Sequence, residues 1–73
     1  MTTPTKRSVI VAGHRTSVSL ETPLWEHVVA LARARGVTVN RLITEIDRTR
    51  SGSLSSAIRL FVLERLGRYT NLR

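Results

Sequence analysis

The chain has 73 residues and no cysteine, and its 12 Lys and Arg residues outnumber its 5 Asp and Glu residues, which leaves a formal charge of +7. The lack of cysteine excludes disulfides and thiolate metal sites, and His14 and His27 alone supply too few ligands for a structural zinc, so we expect no metal and no other cofactor. A monomer of this size buries too little apolar surface to be comfortably stable alone, so oligomerisation is the expected support.

The positive charge favours a polyanionic partner, because basic side chains that contact phosphates release counterions. The three aromatic residues offer little for stacking on single-stranded bases, which favours duplex DNA over single-stranded RNA. No segment approaches the roughly 20 apolar residues of a membrane span, and Val9–Ala12 is too short for a signal-peptide core. These features predict a cytoplasmic protein whose partner is double-stranded DNA and not a membrane.

The N-terminal third of the chain predicts an arm and one or two strands. The first eight residues are rich in Thr and lack acidic side chains, which predicts a flexible basic arm over 1–8 ahead of a domain over 9–67. Val9–Ala12 has the composition of a short strand, and Gly13 permits a bend or bulge after it. Arg15–Leu20 alternates polar and apolar residues with the period of a half-buried strand. No second well-patterned strand follows it, so its simplest partner is the same strand of another subunit.

The first predicted helix covers Pro23–Arg35. Thr22 and Pro23 are a start signal, because the hydroxyl can cap free amides and proline needs no N–H in the first turn. A broad apolar face runs along this helix, and Gly36 supplies its C-terminal stop. Trp25 lies on that face, so we expect it to pack in the core or between subunits rather than to stack on bases.

The second predicted helix begins after Thr38, which caps it, and is broken by Ser51-Gly52-Ser53. Its apolar stripe consists of Val39, Leu42, Ile43 and Ile46. Two ion pairs at i, i+3 are predicted on its exposed side, Glu45 with Arg48 and Asp47 with Arg50.

The third predicted helix runs from Leu54 to Leu66 and is apolar nearly all round. Such a helix must be buried on several sides, either in a larger dimer core or between dimers. A short basic tail over 68–73 follows it.

The order of these elements and several of their motifs resemble a bacterial subfamily of ribbon-helix-helix proteins, over the range from Arg15 to Leu66. The motifs are Arg15-Thr-Ser-Val-Ser-Leu-Glu21, Trp25, Arg35-Gly-Val-Thr-Val-Asn40, Glu45-Ile-Asp47 and Leu54-Ser-Ser-Ala-x-Arg-x-Phe-Val-Leu63. The resemblance implies a mainly α fold of β-α-α order with an additional C-terminal helix. It also implies an intertwined homodimer, in which the strands of two subunits pair as an antiparallel β-ribbon.

In the resembling family the ribbon lies in the major groove, and the second helix presents its N-terminus to a backbone phosphate. The base-reading role maps onto Arg15, Ser17 and Ser19, and the phosphate-binding role onto Thr38, Val39 and Asn40. The residues expected in the dimer core are Val18, Leu20, Trp25, Val28, Leu42, Ile46 and Phe61.

The chemistry of these residues leaves some alternatives open. Arg15 is the strongest candidate reader, because a guanidinium can bond guanine O6 and N7 together, whereas serine hydroxyls discriminate bases weakly. The alternative is that this polar strand face is only solvated. The free amides that begin the second helix form an anion site, or Thr38 only caps them. Lys6, Arg7 and His14 flank the reading strand and either contact phosphates or make no contact.

Three functions agree with these features of the sequence. The leading hypothesis is a sequence-specific transcriptional regulator. The alternatives are the antitoxin of a toxin–antitoxin pair, with the third helix binding the toxin, and an oligomerising architectural DNA-binding protein. An enzyme is not expected, since Ser55-Ser56 has no lysine at the spacing of a serine–lysine pair, and no small-molecule substrate is evident.

Overall fold

The computed structural model describes the backbone of residues 3–70 and the side chains of residues 3–67. Two strands form one antiparallel sheet, and three helices pack against one of its faces around a single apolar core. The elements in chain order are β1 (Thr5–Val11), β2 (His14–Leu20), α1 (Thr22–Arg35), α2 (Val39–Arg48) and α3 (Leu54–Thr70).

The sheet is a hairpin closed by a two-residue loop. Every residue of β1 lies opposite a residue of β2, and Ala12 and Gly13 join the strands. Both loop residues have positive φ, 51° at Ala12 and 83° at Gly13, as a type I′ turn requires. Glycine adopts this conformation freely, whereas a side chain at Ala12 is strained in it. The turn therefore closes the sheet within one chain.

The hairpin corrects two predictions. The arm predicted over 1–8 belongs to β1 from Thr5 onward. The strand partner that was predicted for β2 in a second subunit is β1 of the same chain. The strand was predicted only over Val9–Ala12, and its N-terminal part was missed because a charged residue, Arg7, occupies a core-facing position in line with Val9 and Val11. The guanidinium of Arg7 lies 5.0 Å from the centre of the Trp25 ring.

Helix α1 ends as predicted but begins one residue earlier. Its N-cap is Glu21, whose side chain makes no capping hydrogen bond. The hydroxyl of Thr22, the predicted cap, instead accepts a hydrogen bond from Arg7 at 3.1 Å. Gly36 has φ of 72° and its N–H donates to carbonyl oxygens of the last turn, so the predicted glycine stop is confirmed.

Helix α2 has the predicted N-cap, since the Thr38 hydroxyl accepts a hydrogen bond from the Arg41 N–H at 3.0 Å. Of the predicted apolar stripe, Leu42, Ile43 and Ile46 are buried and Val39 is half-buried. The cap fixes where the helix begins, and the stripe fixes the side on which it packs.

One of the two ion pairs predicted on α2 is present. The Nε atom of Arg50 lies 2.5 Å from a carboxylate oxygen of Asp47, as predicted. Glu45 does not pair with Arg48, because two other guanidinium groups lie closer to its carboxylate. These belong to Arg35, at 3.4 Å, and Arg41, at 3.6 Å.

The core draws on both strands and all three helices. Its buried members are Val9, Val11, Val18, Leu20, Val28, Ala32, Leu42, Ile43, Ile46, Ile58 and Val62. Five of the seven residues expected in a dimer core, namely Val18, Leu20, Val28, Leu42 and Ile46, are thus buried inside a single chain. Trp25 and Phe61, the other two, are half-buried against the same core.

Within the single chain, helix α3 is buried along one stripe, and the burial on its other sides that was predicted in a dimer core or between dimers stays a prediction. Ile58 and Val62 are fully buried, whereas the side chains of Leu60 and Leu63 are 67% and 60% exposed. The helix extends to Thr70, so the predicted tail over 68–73 begins within it, and residues 71–73 lie outside the described residues.

Replacing Ala12 by Asn should raise the free energy of unfolding by about 1 kcal/mol, because Asn tolerates the left-handed conformation in which alanine is strained. Urea unfolding measures the change. The same substitution at Ala30, an exposed position within α1, should lower stability, since Asn is a poorer helix former than Ala. A loss of stability at Ala12 would contradict the type I′ turn.

Candidate nucleic-acid interface

The two strands of the hairpin alternate between a side that faces the core and a side that faces solvent. The solvent-facing side, here called the outer face, consists of three cross-strand pairs, Lys6 with Ser19, Ser8 with Ser17 and Ile10 with Arg15. All six residues are exposed. Along the strand the outer face spans about 13 Å, which is close to four base steps of about 3.4 Å each.

The outer face brings the three predicted base readers to one side of β2, and they are Arg15, Ser17 and Ser19. Sequence reasoning missed Ser8, which it assigned to an unfolded arm, and Ile10, which it placed in a short strand without a partner. The run of β-branched residues from Val9 to Val11, with Gly13 two residues beyond it, is the signal that would have placed them on the first strand of a hairpin. Pairing with β1 therefore doubles the number of side chains on the outer face.

Side chains of α2 hold the free edge of β1. The Ile10 N–H donates to the Oδ1 atom of Asn40 at 3.1 Å, and the Ala12 N–H donates to the Thr44 hydroxyl at 3.3 Å. The Thr44 hydroxyl in turn donates to the carbonyl oxygen of Asn40 at 2.8 Å. These contacts satisfy backbone donors that an edge strand otherwise exposes, and they fix the position of the hairpin tip.

The first turns of α3 hold the opposite edge of the hairpin. The Ser19 N–H donates to the Ser55 hydroxyl at 3.1 Å, and the Arg59 guanidinium donates to the Ser19 carbonyl oxygen at 3.2 Å. The same guanidinium lies 3.2 Å from a carboxylate oxygen of Glu21. The hairpin is therefore held at both edges by helices, while its outer face stays uncovered.

The Glu21 carboxylate is stabilised in its ionised form. A hydrogen bond from its own backbone N–H and the adjacent guanidinium of Arg59 lower the pKa of Glu21 below its usual value of 4.5, against the opposing effect of burial. The ion pair joins the end of β2 to α3, so it helps to set the angle between the hairpin and the helix.

The residues predicted to bind phosphate at the start of α2 already have partners within the fold. The Thr38 hydroxyl caps the helix, and the Asn40 side chain accepts from the Ile10 N–H. Val39 is half-buried against the core. What this helix start offers to an anion is therefore its backbone amides, with the positive end of the helix dipole behind them.

The other predicted phosphate contacts lie on different sides of the hairpin. Lys6 is exposed on the outer face. Arg7 is on the core-facing side, where it lies over Trp25, and is therefore turned away from the outer face. His14 is exposed near the hairpin tip, but by strand alternation it points to the side opposite Arg15.

A shallow groove between the hairpin tip and α2 contains basic residues that sequence reasoning did not assign. It is lined by Ile10, Gly13, Arg41 and Arg48, among others. Both arginines are exposed, and Arg48 has no carboxylate partner among the described side chains. Only the pairing of β1 with α2 places these cations beside the outer face, so no local sequence pattern could have found them.

Within residues 3–67 there is no group of three or more acidic or histidine side chains that could hold a metal ion. None of the helices within residues 3–70 is long and apolar enough to cross a membrane.

The family model of the ribbon-helix-helix domain matches residues 4–66, which include both strands, α1, α2 and most of α3. The chain therefore belongs to the ribbon-helix-helix family, as its motifs predicted. Comparisons with curated proteins and with solved structures find no match. Proteins of this family are generally DNA-binding regulators that form dimers, and they are typically not enzymes.

The lowered pKa of Glu21 predicts a pH-dependent contribution to stability. A carboxylate whose pKa is lower in the folded state stabilises the fold above its usual pKa, and this contribution is lost as the pH falls through the folded-state value. Glu21→Gln should therefore lower the melting temperature at pH 7, and its difference from the wild type should shrink below pH 4.5.

The matched control is Glu26→Gln, at an exposed position of α1 that has no ion pair among the described side chains. This variant should have nearly the wild-type melting temperature at both pH values. A constant difference between Glu21→Gln and the wild type from pH 7 to pH 3 would contradict the assigned role of Glu21.

Proposed function

We propose that this chain is a sequence-specific transcriptional regulator that places its hairpin in the major groove of double-stranded DNA. The observation that carries the proposal is the outer face, six exposed residues of a two-stranded ribbon whose edges are held by helices. A two-stranded ribbon matches the width of the major groove, where each base pair presents a distinct pattern of donors and acceptors.

The side chains of the outer face differ in what they can read. Arg15, near the hairpin tip, can bond guanine O6 and N7 together, which is the most discriminating contact available to this face. Ser8 and Ser17 in the middle are short, so the backbone can come close to the base edges while their hydroxyls donate or accept. Lys6 at the open end of the hairpin reaches a phosphate or a guanine.

Groups at the flanks of the hairpin that can bind phosphates support the same orientation. Arg41 and Arg48 lie beside the hairpin tip, on the α2 side of the groove described above. The backbone amides of Val39 and Asn40 lie in the first turn of α2, where they have no partner within the helix, and provide donors for a phosphate oxygen. A net charge of +7 on 73 residues strengthens both contacts at low salt.

We further propose that the protein acts as a homodimer in the cytoplasm, with each hairpin reading one half of a symmetric site. Dimer formation in the family supports this step. Since each chain supplies both strands of its own ribbon, the subunits need not be intertwined to present the reading surface. Two separate hairpins then predict two half-sites related by a two-fold axis.

An experiment on the outer face tests the proposal. DNA selected in vitro by the purified protein should contain a preferred sequence. The combined change Arg15→Ala, Ser17→Ala and Ser19→Ala should abolish that preference, while Arg15→Ala alone should cost about 1–3 kcal/mol of binding free energy and relax selectivity at one position. Fluorescence anisotropy with selected and scrambled duplexes measures both effects. Undiminished binding by the triple variant would overturn the proposal.

A contrasting variant separates base contacts from phosphate contacts. Lys6→Ala should weaken binding to selected and scrambled DNA alike and reduce the slope of log affinity against log salt by about 1. Arg65→Ala removes the same charge ten residues beyond Ser55, about 15 Å further along the axis of α3, and should leave that slope unchanged.

A second candidate function, an architectural protein that coats DNA as larger assemblies, is favoured by the exposed leucines of α3. Leu60 and Leu63 are 67% and 60% exposed on neighbouring turns and form an apolar patch that contacts between dimers would cover. Light scattering should give the mass of a dimer if the protein is a regulator, and a larger mass that falls in Leu60→Ser if it is architectural. A monomer at micromolar concentration would contradict both.

A further inference from the structure

We propose that Ile10 is a specificity-determining residue, which contacts the C5-methyl group of a thymine next to the guanine that Arg15 reads. This inference rests on the proposed function, because it requires the outer face to lie in the major groove. It adds a preference for thymine, which the polar residues of the outer face do not supply.

Ile10 is the one apolar member of the outer face, and its side chain is 48% exposed. The flanking residues of β1, Val9 and Val11, are 3% and 7% exposed and belong to the core. A large aliphatic side chain held in water forgoes about 25 cal/mol for each Å² of apolar surface that it could bury. On a surface otherwise made of Lys, Arg and Ser, Ile10 is therefore the side chain that would gain free energy from contact with an apolar group of a bound partner.

The position of Ile10 is fixed by the fold. Its N–H donates to Asn40 on α2, and its residue lies directly opposite Arg15 in the hairpin. Directly opposed residues of an antiparallel pair have Cβ atoms about 5 Å apart, whereas successive bases on a strand are about 3.4 Å apart. Ile10 therefore reaches the same base step as Arg15.

In the major groove the C5-methyl group of thymine is the apolar feature that distinguishes one standard base from the others. If Arg15 bonds guanine O6 and N7, Ile10 beside it meets the neighbouring base pair. The position of Ile10 opposite Arg15 thus predicts a target in which a G·C pair is next to an A·T pair, with the thymine methyl directed at Ile10.

The test replaces each thymine of the selected duplex in turn by deoxyuridine, which removes the methyl group and keeps every hydrogen-bonding group. For the wild-type protein, each half-site should contain one thymine whose replacement alone weakens binding about fourfold, the factor expected for a single buried methyl group. Ile10→Ser should bind the thymine and deoxyuridine duplexes equally. Ile10→Val should retain part of the difference, because it keeps a branched apolar group.

Two control variants locate the effect. Leu60→Ser alters an apolar residue of greater exposure on α3 and should keep the wild-type preference for thymine. Arg15→Ala should lose selectivity for the guanine and keep the preference for the neighbouring thymine.

The outcomes distinguish this inference from the proposed function. Binding that depends on Arg15 but does not distinguish thymine from deoxyuridine at any position would overturn the role of Ile10 and leave the major-groove proposal intact. A change of oligomeric mass in Ile10→Ser, with the thymine preference unchanged, would assign Ile10 to a protein contact and overturn the inference. Absence of any binding to selected DNA would instead overturn the proposed function itself.

Discussion

The hydrogen bonds from helix side chains to the edges of the hairpin are the interactions on which the rest of the structure depends. A lone two-stranded hairpin is marginal in water, and each of its edges exposes backbone groups that need partners. Asn40 and Thr44 accept from one edge, while Ser55 and Arg59 bond to Ser19 on the other. The strands are therefore supported from the sides and from the core, and the outer face is left for a ligand.

The same contacts decide which side chains are available for binding. Thr38 and Asn40 occupy the positions that the family resemblance assigns to phosphate, but their oxygens serve the helix cap and the strand edge. Arg7 is likewise engaged, with its guanidinium over Trp25 and a hydrogen bond to Thr22. The cations that remain exposed near the hairpin are Lys6, Arg15, Arg41 and Arg48. The basic residues near the hairpin therefore fall into two groups: Arg7 makes contacts within the fold, whereas the other four are exposed to solvent.

Local signals account for the parts of the fold that the sequence predicted. Thr38 and Gly36 fix helix ends through a hydroxyl cap and a left-handed glycine, which depend on neighbours in sequence. The alternation from Arg15 to Leu20 likewise defined β2 and put Arg15, Ser17 and Ser19 on one side. These features required no knowledge of distant contacts.

The parts that were missed depend on pairing between distant segments. The core-facing Arg7 obscured the alternation of β1, and Ala-Gly is not one of the usual signals for a type I′ turn. Ser8 and Ile10 joined the candidate site only through the register of the hairpin. The apolar composition of α3 did not predict which of its stripes packs against the core, because that depends on the surface presented by the other elements.

Closure of the sheet by a two-residue loop has a consequence for how the chain reaches its native state. A ribbon shared between subunits must wait for an encounter of two chains, so its formation slows with dilution, whereas a local hairpin forms in about 1–10 μs. Contacts close in sequence also shorten the search for the native topology. A newly synthesised copy can therefore complete its sheet and core without waiting to meet another copy.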